Sequence, residues 1–451
     1  PKYMAVVLNA TQDIENGLKG KSITEATAFI SNCAVAEETT DKKILKNFVM
    51  SSSTYYNNGV VFCTELKDDN FQESEAATVN HEITAYVERI AAKVTVKLND
   101  AIVKSGQKVE IGSFAVKSVD AEGKISEDTK PLYARIDGWG LNATAPESYI
   151  FKNIENWTWE FNNPTGTTKW NDPAHFRSYW GKSVNYNNSD YIYPEYSGTI
   201  VTDKKQLNYV NYNALGVNLN SAAYCRENTN TADILTTDNF SSKVTSVLLK
   251  ATLVDENNNI FPIVNYENTL WDYDGYLNRV LANNKASLPY YKADATTYKQ
   301  IDKSFLKEVD AGDGVVYVVI NTDKELFANN DGTGKQNLDY FNKLINGDLT
   351  GKDAKTAALY YKDGQMYYNV PIEHLNNNAK FPNLTGLKEA DYGVVRNHYY
   401  IMTINSIKNL GSAVFDPEKN IVPNDDDSKK YYVGAKINIL SWKVVEQGVD
   451  L

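Results

Sequence analysis

From Tyr399 to Ile407 the chain alternates with the period of two that a β-strand imposes. Tyr399, Ile401, Thr403, Asn405 and Ile407 fall on one face, and Tyr400, Met402, Ile404 and Ser406 on the other. The same signal predicts strands over Tyr3 to Leu8, Val60 to Cys63, Val109 to Val119, Ala134 to Leu141, Val244 to Val254 and Val315 to Ile320. The alternating run from Ile83 to Leu98 predicts one unusually long strand, able to leave one domain and enter the next, which puts a boundary near residue 89. Leu359 to Val370 predicts a hairpin, with Lys362-Asp363-Gly364 as the turn between Tyr-rich arms. Helical spacing is scarcer. Ser22 with Glu25 three residues on makes a capping box for a short helix to Ile30. Two more helices are expected near Asp274 to Ala282 and Gln336 to Ile345, the second closed by Asn346-Gly347.

Two stretches break the pattern. Residues 151–240 are aromatic and Asn-rich with little periodicity, and Trp157, Trp159, Trp170 and Trp180 argue for an ordered insertion rather than a linker. Pro423-Asn424-Asp425-Asp426-Asp427-Ser428-Lys429-Lys430 is charged and unsuited to a helix, so it reads as a solvated linker. Beyond it Tyr431 to Leu451 is a strong strand signal. Val433, Ala435, Ile437 and Ile439 share one side. The phase shifts at Leu440, which with Trp442 and Val444 continues the apolar row, and shifts again at Val445, followed by Val449 and Leu451. A terminus of this kind frays unless it docks on something.

Composition narrows the class. The 451 residues equal about three average domains at ~150 residues each, or two large β domains with long loops. The formal charge of −11 argues against nucleic acid as a partner. No apolar run is long enough to span a membrane as a helix. The 51 Asn and 31 Tyr favour turns and strands respectively, as expected of a loop-rich β protein. Cys33, Cys63 and Cys225 form no CxxC pair. Three buried free thiols fit better than a Cys33–Cys63 bridge. The start, from Pro1 to Leu8, has no signal-peptide pattern, so any signal peptide has been removed or never existed.

Catalytic and metal chemistry is missing from the pattern. His81-Glu82 lacks a second His at helical spacing, and His175, His374 and His398 fit structural or surface roles. There is no nucleophile elbow, Walker loop or dinucleotide fingerprint. The acidic loops Asn329 to Gly334 and Asp425 to Asp427 lack an EF-hand register and read as solvated turns. The expectation is therefore a non-enzymatic, secreted, mostly β protein with a pairable terminal strand and neither cofactor nor metal. The Trp- and Tyr-rich insertion leaves a surface glycan-binding protein as the alternative.

Several motifs then agree in order. Asp391-Tyr392-Gly393-Val394-Val395-Arg396-Asn397-His398-Tyr399-Tyr400, followed by Ile404-Asn405-Ser406-Ile407, Leu410-Gly411 and Asp416-Pro417, resembles the C-terminal signature of Bacteroidia-type (type V) fimbrial shaft subunits of the minor-fimbrium branch. The ending Trp442 to Leu451 and the segment Val87 to Val94 resemble that family too. So do Trp139-Gly140-Leu141-Asn142, Phe176 to Trp180 and Tyr224 to Thr229. The resemblance implies two tandem transthyretin-like β-sandwiches: residues 1–88, lacking their first strands, and 89–423, carrying the 151–240 insertion. A linker and donor strand follow at 424–451. It implies export as a lipoprotein to the outer membrane, proteolytic removal of a first strand, and polymerisation by donor-strand exchange. Identical subunits would join head to tail, with accessory tip and anchor subunits and a role in adhesion and biofilm, host or bacterial surfaces being the ligands. The lipobox cysteine and cleavable strand are not in this sequence; they lie upstream of Pro1 or are missing. The donor anchors implied are Val433, Ala435, Ile437, Ile439, Leu440, Trp442, Val444, Val445, Val449 and Leu451. A tip or accessory adhesin of the same filament is the rival within the family.

Overall fold

The computed structural model describes residues 2–38, 45–53, 64–74, 83, 85–120, 123–154, 180–193, 204–236, 240–374, 389–423, 433–441 and 445–449. The N-terminal part holds β1 (Val7–Leu8), α1 (Gln12–Leu18), α2 (Ile23–Thr27), β2 (Met50–Ser52) and β3 (Val87–Arg89). The Ser22 side chain accepts from the Glu25 N–H while the Glu25 carboxylate accepts from the Ser22 N–H, the capping box expected from the spacing. The strand expected over Tyr3 to Leu8 is two short ones, Lys2–Met4 and β1, each with a different partner. Val60 to Cys63 lies outside the described residues. A small core of Ile14, Val49, Ile90, Ile150, Phe151 and Ile154 joins this part to the segment near 150.

The main body is a sandwich. Its smaller sheet contains β4 (Ala92–Leu98); its larger one, of 11 strands, contains β5 (Lys108–Val119) and β6 (Ile125–Asn142). Next come β7 (Ala222–Cys225), β8 (Ser246–Val254), α3 (Tyr273–Asn283) and α4 (Leu338–Asn346), then β9 (Gln365–Pro371) and β10 (His398–Ile407). In the larger sheet β5, β6, β8 and β9 are successive antiparallel neighbours. In the smaller one β4 lies between β7 and β10. One core fills the space between them. Val94 and Val96 of β4 with Tyr400, Met402 and Ile404 of β10 meet Ile136, Leu249, Ala251, Met366 and Tyr368 from the other side. Each such side chain, fully withdrawn from water, contributes about 1.5–3 kcal/mol gross. The alternation read from Tyr399 holds as far as Ile404, with Tyr400, Met402 and Ile404 in this core, but Ile407, expected on the opposite face, is in the core as well. α4 ends at Gly347 in the left-handed region, as Asn346-Gly347 implied.

Two expectations need correcting. The long strand from Ile83 to Leu98 is broken between β3 and β4 at Ile90 and Ala91. Both are fully buried, so neither can keep the in–out alternation of one strand. Ile90 packs in the N-terminal core and donates its N–H to the Val49 carbonyl, whereas Ala92 enters the main core. Nor is Leu359 to Val370 a hairpin. The turn is as expected, with Asp363 and Gly364 at positive φ. The arms part after it: Ala358–Tyr361 pairs with Ile263–Tyr266 and Val315–Ile320, while β9 pairs with β8 over seven positions. That longer ladder, with Met366, Tyr368 and Val370 in the core, outweighs a short local pairing.

Candidate polymerisation surface

The C-terminal tail forms β11 (Val433–Ser441) and β12 (Val445–Val449), and both lie on the edge of β10 away from β4. Val433 and Gly434 pair with Ile407 and Ser406, and Leu440 and Ser441 with Tyr399 and His398. Between these ends Ala435–Asn438 pair with β12, which itself pairs in parallel with Tyr400–Ile404. The tail expected as one strand is thus two, and the second phase shift, at Val445, marks the start of the second. Of the expected anchors, Val433, Ala435, Ile437, Ile439 and Leu440 are in β11, and Val445 and Val449 in β12. Trp442, Val444 and Leu451 lie outside the described residues, as does the acidic linker from Asn424. The stretch before it is packed: Ile421 and Val422 are buried, and Asn142 Nδ2 donates to the Ile421 carbonyl at 3.0 Å.

At the other end the sheet β1–β2–β3 is small, and among the described residues β1 pairs only with β2. Elsewhere in the N-terminal residues Leu8, Ile23, Phe71 and Ile83 are exposed. Open strand edges and exposed apolar side chains together favour addition of a further strand.

Next to the start of β10 lies a buried cluster of charges that the sequence alone does not single out. The Arg396 guanidinium, 0 % exposed, donates to the carbonyls of Tyr149 at 2.6 Å and Ile150 at 2.8 Å, and to Glu227 Oε2 at 2.8 Å. Lys152 Nζ meets Glu88 Oε2 at 2.8 Å, with both side chains nearly inaccessible. Two cations thus face two carboxylates where β3, the segment near 150 and the start of β10 converge. Taking charges out of water offsets most of their attraction, so such pairs fix geometry more than they add stability. His374 Nδ1 and the Tyr400 hydroxyl lie 2.9 Å apart, and His398 Nδ1 is 2.8 Å from the Arg396 carbonyl. Burial, then His374 and Lys152, pushes His398 well below the usual histidine range. These are structural histidines, as read from their context; His81 and His175 are outside the described residues.

Gly393 completes the junction. Its φ is +138°, and a Cβ there would lie 2.9 Å from the Asn228 carbonyl oxygen, because Asn228 and Val394 exchange backbone hydrogen bonds. Cys33 is half-buried rather than buried, while Cys225 is buried with its thiol pushed up to about 12 by burial. Cys63 lies outside the described residues. Of the insertion's tryptophans, Trp180 is fully buried against Ala390 and Val395; the other three lie outside the described residues.

Residues 359–448 match the family model described as major fimbrial subunit protein type IV, fimbrillin, C-terminal. A fimbrilin from Porphyromonas gingivalis W83 aligns at 12% identity and a TM-score of 0.34, over 100% of this chain and 80% of that one. Two structures of a candidate cell adhesion protein from Parabacteroides distasonis align at 10% identity and a TM-score of 0.31. They cover 97% and 98% of this chain and 74% and 81% of theirs. No curated protein sequence matches the chain.

Proposed function

We propose that this chain, a fimbrillin by its C-terminal region, is a structural subunit that polymerises head to tail into a surface fimbrium. The tail of one copy would leave its own β10 edge and complete the open N-terminal sheet of the next. The observation that carries the reading is the way the tail is held: it follows an acidic linker and adds to the sheet at one strand edge. Strand addition of this kind draws affinity from main-chain hydrogen bonds and specificity from alternate side-chain pockets. Burying six to eight side chains of the Ala435–Leu451 type would supply on the order of 10–20 kcal/mol gross, opposed by the cost of ordering the tail. Donation from head to tail does not close on itself, so the product is an open filament.

The division of labour follows. Residues 1–88 act as acceptor and 89–423 as the body, both on the transthyretin-like plan the resemblance implies, while 424–451 act as donor. A lipoprotein precursor, loss of a first strand at the outer membrane, accessory tip and anchor subunits, and adhesion in biofilms belong to the same proposal. Deleting Lys430 to Leu451 tests it. The expected product is a folded monomer that cannot extend a filament, because the core residues of β4 and β10 do not depend on the tail. If the truncated protein unfolds, the tail is an intramolecular strand and the polymerisation reading fails.

A further inference from the structure

The chain enters the smaller sheet at one end of β4 and leaves β10 at the opposite end. These two strands are direct neighbours and run parallel, with six registered pairs from Lys93↔Tyr399 to Leu98↔Ile404. The ladder is closed at both ends: Asn397 N–H donates to the Ala91 carbonyl, and Asn99 N–H to the Ile404 carbonyl, each at 2.8 Å. Roughly 300 residues separate the two strands in sequence, yet no other strand lies between them in the sheet.

The geometry points to a mechanical function: β4 and β10 form a clamp that bears tension along their shared ladder in shear. A pull transmitted through β3 draws β4 toward its N-terminal end. A pull on the segment after Ile407 draws β10 toward its C-terminal end. For parallel strands these are opposite directions along one ladder, so all six pairs resist together. Pulled from the same end, the pairs would open one at a time. Sliding by one residue is also opposed. Such a slip of either strand would turn its core residues, Val94 and Val96 or Tyr400, Met402 and Ile404, away from the core. On the outer face the Tyr399 hydroxyl is 3.1 Å from Thr95 Oγ1, and Lys93 Nζ sits 4.2 Å from the Tyr399 ring centroid. Both contacts tie the strands at the end first loaded from β3.

The segment from Lys408 to Pro423 would yield before the clamp does. Its Ser412–Ala413 strand holds β9 by two pairs, and Asn420 makes a single bridge to Asn211. It would peel as a short early extension, and the ladder would then take the load. The relevance of this to a fimbrium rests on the head-to-tail reading above, because only a subunit held at both ends carries tension through this path.

The test is single-molecule pulling on the full chain, with bio-orthogonal handles at exposed or half-buried positions. Handles at Ala85 and Lys419 load β4 and β10 from opposite ends. Handles at Asp100 and Lys408 load the same two strands from one shared end. Forced opening reports the unfolding barrier along the direction of pull, and loading the six pairs together rather than in turn should raise the force by roughly three- to sixfold. Full release between Ala85 and Lys419 lengthens the tether by about 1,100 Å, which identifies the event. Equal urea midpoints for the two handle pairs assign any difference to direction rather than stability. Equal forces in both geometries, or a lower force from Ala85 and Lys419, would overturn the clamp. No filament enters this measurement, so failure of the clamp and failure of the polymerisation reading are separate results.

Discussion

Replacing Arg396 by Met removes the guanidinium while keeping most of the aliphatic stem, so little cavity is created. Three charge-assisted hydrogen bonds vanish: to the carbonyls of Tyr149 and Ile150 and to Glu227. Glu227, 1% exposed, is left without its counter-charge. Breaking a buried ion pair from one side costs about 3–5 kcal/mol. The two orphaned carbonyls add about 1 kcal/mol or more each, less whatever entering water restores. The expected loss is therefore about 4–6 kcal/mol, a large part of the ~5–15 kcal/mol available to a domain. Urea denaturation should show it as a fall in midpoint. Adding Glu227→Gln removes the stranded charge yet retains an oxygen able to accept from the Arg396 N–H, now 3.4 Å from Glu227 Oε1. The double variant should recover about 1–3 kcal/mol of the loss. A cost under about 1 kcal/mol for Arg396→Met, or a double variant as unstable as the sum of the singles, would refute the reasoning.

Acid should weaken the fold through His398, whose folded form resists protonation because it is buried beside His374 and Lys152. Its folded pKa lies below the unfolded one, so the unfolded chain binds more protons and stability falls as pH drops below about 6.5, by up to about 1.4 kcal/mol per unit. Urea midpoints measured between pH 7 and 5 should show this slope, and His398→Gln should flatten it. Gly393→Ala should cost roughly 1–3 kcal/mol, since it combines a positive φ with a Cβ 2.9 Å from the Asn228 carbonyl. Thermal melting of this variant beside Gly216→Ala, where nothing lies within 4 Å of the added Cβ, separates the local clash from a general glycine effect.

Strands with one buried face were legible because alternation over eight or more residues has few other causes, as in β10. Capping residues were legible because their partners lie within one turn, as with Ser22 and Glu25. What sequence could not supply was the choice of partner. The Asp363-Gly364 turn looked like a hairpin because nothing local reveals that β8 offers the second arm a longer ladder. Ile90 and Ala92 fitted one face of an alternating run, although each belongs to a different core. Arg396 and Glu227 are 169 residues apart, and their pairing depends on that long-range arrangement. One signal did exist: among only six arginines, Arg396 directly follows two valines in a segment otherwise patterned for burial. The tail was legible as β-competent sequence, and its two phase shifts were real, but only the backbone pairing turned the second of them into a break between strands.

The pairing of β4 with β10 also constrains when the protein can fold. Tyr399 must find Lys93 at a sequence separation of 306 residues, and the loop-closure entropy of that contact cannot be regained until β10 is present. A chain emerging N-terminus first therefore carries β4, with Val94 and Val96, without its central partner for most of its synthesis or export. Such a stretch is apolar, strand-forming and open at its β10 edge even once β7 has paired with the other, a state exposed to aggregation. Folding of the smaller sheet is thereby tied to the emergence of β10. The same ordering holds for the tail: β11 and β12 follow β10 in the chain, so they emerge only after the strand on whose edge they pair.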